Sequence, residues 1–255
     1  MTDGLVAPTE DRWRALARSS PWLWRTARFT VAFEGTGDAE QVRAWLDRRH
    51  ALRVEPDRGD PVVQLLERRT VGWFSYDGAG RTSRGTRAEP FPWEIPVEVE
   101  RDGMVSARPP ECAVAEELMW RDYRWVAMLD PVELADGSGQ RPGSATVLSD
   151  LHAGDRHGRL TWWAVVREGP GYDPRCTCCA LLDGPLADCL DTDEGGSRAR
   201  GAPPPDDLPT RWSVGLDRAT GIVVSLQPLD GTSLAGGFEV RLHGVDEDLD
   251  PGRFR

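Results

Sequence analysis

Four of the chain's five cysteines, Cys176, Cys178, Cys179 and Cys189, fall within fourteen residues. Thiols that dense can ligate a soft metal, pair as disulfides or fill a buried corner. A structural zinc takes four N or S ligands in a tetrahedron, each thiolate about 2.3 Å from the ion. These four cysteines supply the count. The C-x-C-C spacing is not the C-x2-C knuckle, and in extended chain Cys178 and Cys179 point to opposite sides, so a turn must bring them together. A structural zinc, a disulfide or redox pair, and buried thiols all stay open at this point. Cys112 is distant in sequence and reads as packing.

His152 and His157, with Asp150 and Asp155, offer a second set of metal-ligating or acid–base groups. They flank a Gly-containing turn, where polar residues belong to a solvated hairpin tip. No serine sits in a nucleophile elbow, and Gly35-Thr36-Gly37 reads as a turn rather than a phosphate loop. No nucleophile, base and orienting group can be placed together, so no enzyme is expected. The charge of −11 disfavours nucleic acid, because no basic cluster could release phosphate counterions. Every one of the 31 basic residues is Arg. The opening residues Met1–Pro8 lack a basic region, an apolar region and a lipidation cysteine. No apolar run reaches the length of a transmembrane segment. The expectation is a soluble, cytoplasmic protein, in which cysteines are more often free or metal-bound than paired.

The positioning elements follow from hydrophobic period. With 39% hydrophobic residues and eleven tryptophans, a chain of 255 can build a large core. Residues 9–19 predict a helix capped by Thr9, with Trp13, Leu16 and Ala17 on one face and Pro21 ending it. From Trp22 to Phe33 the period becomes two, with Phe29, Val31 and Phe33 on one face. Further strands are predicted through Val42, Ala44 and Leu46, through Leu52 and Val54, over Val62–Leu66 and over Val71–Tyr76, with Asp77-Gly78 as a turn. The first hundred residues thus read as one antiparallel meander. Glu111–Trp120 predicts a helix, and Asp130-Pro131-Val132-Glu133 a second helix start with Asp130 as its cap. Strands resume at Ala145–His152 and Leu160–Arg167. The latter carries bulk on both faces and reads as central. The Gly- and Pro-rich stretch within 191–210 predicts a mobile loop. Strands over Trp212–Leu216, Ile222–Leu229 and Phe238–Val245 close the chain. The runs Arg48-Arg49 and Asp246-Glu247-Asp248 read as solvated faces.

In this order, the opening helix, the Trp22–Phe33 strand, the Val42–Val54 pair, the Gly158-Arg159 strand start and the Leu216-Asp217-Arg218-Ala219-Thr220-Gly221-Ile222 hairpin resemble the lipoprotein-localisation-factor (LolA-like) superfamily. The Tyr172-Asp173-Pro174-Arg175-Cys176 block is similar to one in actinobacterial members of that group. The resemblance spans most of residues 10–250. It implies a single α+β domain over 1–255: a strongly curved, open antiparallel half-barrel with helices covering its concave side. The domain opens with an N-terminal helix within 1–20, and the covering elements would be residues 111–135, including Leu118, Met119, Trp120, Trp125 and Leu129. The implied function is non-catalytic binding of an apolar small molecule or lipid in the hollow, on a face of Phe29, Val31, Phe33, Leu46, Val54, Phe74 and Trp162. Alternatives are an interaction or regulatory module of the same fold with its hollow filled, and a metal or redox protein built on the cysteines. Carriers of the superfamily are exported, and the absence of a leader here departs from that pattern.

Overall fold

The computed structural model describes residues 6–34, 40–68, 70–76, 82–88, 90–109, 118–137, 144–196, 203–233 and 236–255. Within 70–76 and 82–88, only the side chains of 72, 84–86 and 88 are described. Cys112, the Gly35-Thr36-Gly37 and Asp77-Gly78 turns, most of the predicted 111–120 helix and the side chain of Phe74 lie outside the described residues.

Helix α1 spans Glu10–Leu23. Thr9 caps it by accepting from the Arg12 amide, and Trp13, Leu16 and Ala17 are its buried face. Pro21 does not end it: the proline sits in the last turn, and the chain leaves the helix at Trp24. Nine strands then form one open antiparallel sheet. In chain order they are β1 (Thr26–Glu34), β2 (Glu40–Asp47), β3 (Ala51–Pro56), β4 (Val62–Leu65), β7 (Thr146–Arg156), β8 (Arg159–Glu168), β9 (Trp212–Asp217), β10 (Val223–Pro228) and β11 (Gly237–Val245). Their spatial order is β4-β3-β2-β1-β11-β10-β9-β8-β7, so the first and last strands meet in the middle and β4 and β7 are the edges. The alternation read from sequence is the buried face: Phe29, Val31, Val42, Ala44, Leu46, Leu52, Val54, Trp162, Ala164 and Val166 all enter one core cluster.

Among the described residues, strands β5 (Thr70–Tyr76) and β6 (Thr82–Ala88) pair only with each other. The predicted continuous meander therefore ends at β4. That edge strand is exposed along its length, and its residues satisfy the alternation rule without being buried by it. Strand β8 is interior, between β7 and β9, as its two bulky faces require. Its hairpin with β7 is longer than predicted: the strands run to Arg156 and Arg159, and the turn is only His157-Gly158. Both turn residues have positive φ, 52° and 79°, the geometry whose twist suits a two-residue hairpin.

Between the two halves of the sheet, helix α2 covers Tyr123–Leu129, with the Asp122 carboxylate accepting from the Arg124 amide. Residues 118–120 are irregular, so the predicted helix does not extend to Trp120. Asp130 does not cap a helix either. Only a single 3-10 turn, Val132–Leu134, follows it. Its carboxylate is drawn instead into a buried ion cluster, accepting two 2.7 Å bonds from Arg108 and another from Arg175. Arg48 is likewise not on a solvated face. It is buried, stacks 3.8 Å over Trp24, and donates to the Ser20 and Leu129 carbonyls at 3.2 and 2.9 Å. A guanidinium there serves carbonyls near the C-terminal ends of both α1 and α2, where a cation is favoured. Arg49 and the 246–248 run are exposed as expected.

After β8 the chain makes a 3-10 turn at Thr177–Cys179 and helix α3 over Pro185–Asp193. The start of the predicted loop is thus helical, a 3-10 turn stands at Pro205–Asp207, and 197–202 lie outside the described residues. The β9–β10 turn is fixed by Asp217. Its carboxylate accepts from Thr220 N and Oγ1 at 3.0 and 2.8 Å and pairs with Arg159 at 2.6 Å. Gly221, at φ +72°, passes so close to α1 that a Cβ would stand 2.6 Å from the Leu16 carbonyl oxygen. Among the described residues, no helix is long and apolar enough to cross a membrane.

Candidate functional site

A cavity of about 250 Å³ lies where α2, the ends of β1 and β11, and the cysteine turn converge. Phe33, Trp120, Trp125, Met128 and Phe238 form its apolar wall, and Arg121, Asp122, Arg124, Cys178 and Cys179 its polar one. The aromatic wall is continuous. Phe33 lies opposite Phe238 in the β1–β11 register, with ring centroids 6.4 Å apart. Trp120 is 5.9 Å from Phe33 and 5.6 Å from Trp125, and Trp125 reaches Phe29 at 5.5 Å. These are the separations at which ring edges and faces attract.

The polar wall is uneven. Arg121 lies 4.0 Å over the Trp120 ring and is paired with Glu40 at 2.6 Å, so its charge is matched. Arg124 donates from Nη2 to the Gly236 carbonyl at 2.7 Å. Burial pushes its guanidinium down from the usual arginine range, while Asp183 and Asp122 act against that from a distance. Its Nε is buried with no hydrogen-bond partner, and so is the indole Nε1 of Trp125 beside it. A buried donor left unpaired costs about 1–3 kcal/mol, and both residues belong to the cavity lining.

The cysteine turn forms the rim. Cys176 and Cys178 place their sulfurs 3.0 Å apart, and Cys178 and Cys179 theirs 4.0 Å apart. All three Sγ atoms lie within 4.8 Å of one another. The turn is pinned on both sides: Thr177 donates to Glu194 at 2.8 Å, and Arg175 enters the Asp130 cluster. The Cys178 thiol is raised first by its bond with Cys176 and then by burial. Burial leads for Cys179, followed by Cys176. Cys189 stands exposed on α3 and is not part of the three-thiol group. All four described cysteines are free thiols.

Of the residues singled out by sequence, Phe33, Trp120, Trp125, Cys178 and Cys179 meet at this cavity. Phe29, Val31, Leu46, Val54 and Trp162 share the same sheet face but are packed into the core. Sequence reasoning missed Met128, Phe238, Arg121, Arg124 and Asp122. Phe238 heads the last strand and could have been found only with the β1–β11 register in hand. The histidines take ordinary hairpin roles: His157 contacts Glu239 at 2.7 Å, and His152 stacks on Trp163 at 6.1 Å. A larger hollow of about 680 Å³ is lined by Asp47, Asp246, Glu247 and Asp248 together with Leu249, Pro251 and Phe254, with Arg25 and His50 its basic members. Compared with protein-family models and with curated proteins, the chain matches none.

Proposed function

We propose that this protein is a non-catalytic binding protein for a small, largely apolar molecule, held in the cavity between α2 and the paired β1 and β11 strands. The observation that carries the reading is the continuous wall of Phe33, Trp120, Trp125, Met128 and Phe238 around about 250 Å³ of space reachable from solvent. That volume is just under the range of about 300–1,000 Å³ for small-molecule pockets. It suits a single short acyl or ring system rather than a two-chain lipid. In this reading the sheet is a LolA-like half-barrel with helices on its concave side, working in a reducing compartment that keeps the thiols free.

A second reading, an interaction module of the same fold, is favoured by the packing of Phe29, Val31, Leu46, Val54 and Trp162, which fill most of the face. Titration with octan-1-ol and octanoate, followed by tryptophan fluorescence, separates the two. The carrier reading expects saturable quenching that Phe33→Ala and Trp120→Ala weaken. No saturable signal with either probe, and no organic mass retained in native mass spectrometry, would overturn it in favour of the module.

A further inference from the structure

The cysteine turn has a geometry that the apolar reading does not use. The three sulfurs of Cys176, Cys178 and Cys179 lie within 4.8 Å of one another. A single ion bonded to three thiolates at about 2.3 Å sets them about 4.0 Å apart if planar and about 3.8 Å apart in a tetrahedron. The observed 3.0 and 4.0 Å separations bracket those values, so closing around an ion needs movements below about an ångström. The 3-10 turn at Thr177–Cys179 is what defeats the extended-chain objection, bringing Cys178 and Cys179 onto one side.

The turn is also held before any ion arrives. Thr177 is tied to Glu194 on the segment after α3, and Arg175 is anchored by buried Asp130. Asp191 and Glu194 flank the turn and supply negative charge that favours a cation. Cys189, the fourth cysteine of the sequence motif, stands apart. Among the described residues, no His, Asp or Glu completes the group. A closed structural zinc takes four protein ligands, whereas three leave a position for an outside molecule.

We propose that Cys176, Cys178 and Cys179 form a three-thiolate site for a soft d10 metal ion, Cu(I) or Zn(II), with its remaining coordination position turned toward the aromatic cavity. Thiolate sulfur selects soft ions, and Cys178 and Cys179 line the cavity themselves. On binding, each thiol releases its proton to solvent and its sulfur lone pair forms the bond to the metal, with no change of oxidation state. The cavity and the metal then make one composite site, in which a ligand donor atom can bind the ion while its apolar body lies against Trp120 and Phe33.

The test is anaerobic titration of the reduced full chain with Cu(I) and, separately, with Zn(II), each against a chromophoric competitor. One ion per chain is expected. Cys178→Ser and Cys179→Ser should each weaken binding by more than about a hundredfold, since even loss of an outer contact costs about 10–100-fold. Cys189→Ser should leave it unchanged. The Co(II)-substituted protein should change its visible spectrum when imidazole is added. Failure of the reduced wild-type chain to bind either ion would overturn the site. A loss in Cys189→Ser equal to that in Cys178→Ser, or a Co(II) spectrum unmoved by imidazole, would overturn the open three-thiolate geometry. Both leave the alcohol titration, and so the carrier reading, to stand or fall separately.

Discussion

Asp130→Asn is the substitution that most directly tests how the cysteine turn is held. Asp130 is fully buried. Arg108 and Arg175, with side chains 7% and 12% exposed, converge on it. Burial alone would raise the carboxyl, but the two guanidinium groups outweigh it and hold the acid well below its ordinary range. Asparagine keeps the shape and removes the charge, so two nearly buried cations are left facing a neutral amide. Breaking a buried ion pair from one side costs about 3–5 kcal/mol, a large share of the roughly 5–15 kcal/mol that keeps a domain folded. The assay is urea denaturation followed by tryptophan fluorescence, wild type against variant, from pH 3 to pH 8. Because the folded carboxyl titrates below its unfolded value of 3.8, its contribution is present above that pH and is lost as pH falls through the folded pKa. The variant should therefore be less stable by about 3–5 kcal/mol at pH 7, with the gap shrinking in acid. Freed from Asp130, Arg175 should also loosen the rim and speed modification of Cys176 by a thiol reagent. A loss below about 1 kcal/mol, the scale of an exposed pair, or a gap independent of pH, would refute the reasoning.

Two further outcomes follow from buried groups beside the site. Glu168 accepts from the Leu186 and Ala187 amides at the start of α3, yet burial raises it to about 7. A raised carboxyl contributes stability below its unfolded value of 4.5 that is lost as pH rises through 7. At 1.36 kcal/mol per pH unit the ceiling is about 3 kcal/mol. Glu168→Gln mimics the neutral acid, so the variant should gain on wild type between pH 5 and pH 8 in denaturant titrations, and a constant gap contradicts this. Tyr172 is wholly buried, donates to Glu133 at 2.7 Å and accepts from the Leu182 amide at 3.0 Å. Tyr172→Phe leaves both without that partner and should cost about 1–3 kcal/mol by calorimetry, whereas an unchanged melting temperature rules out the bond's importance.

What was legible in the sequence was whatever local periodicity dictates. Trp13, Leu16 and Ala17 on α1, and Phe29, Val31, Ala44 and Leu46 on β1 and β2, announce their buried face by spacing alone, and all enter the core. What failed were readings that depend on partners distant in sequence. Asp130-Pro131-Val132-Glu133 has every local mark of a helix start, but Arg108 and Arg175 compete for the carboxylate and win. Arg48 looks like half of a surface pair until α1 and α2 present carbonyls to it. Strand β5 carries strand-forming residues and β6 few, and alternation says nothing about which edge a strand joins. The cysteines show both sides of this. Their crowding was visible, but a turn decides that three of them meet and that Cys189 does not.

The position of the cavity has a simple geometric cause. Strand β1 has nine residues and runs about 30 Å at 3.3 Å per residue. Helix α2 has seven and covers about 10 Å at 1.5 Å per residue. Even laid along the strand, it can shield only a third of it. Trp125 on α2 meets Phe29 in the middle of β1, and there the face is closed. Toward the strand's end Phe33 is only half-buried, and the irregular segment through Trp120 and Arg121 takes over from the helix. Irregular backbone covers the sheet less completely than a helix does, and the cavity lies there, over Phe33 and Phe238. The rim on that side is left to the cysteine turn. Trp120, Arg121 and Asp122 of the lining all precede α2, so the reading of function rests on where this helix begins.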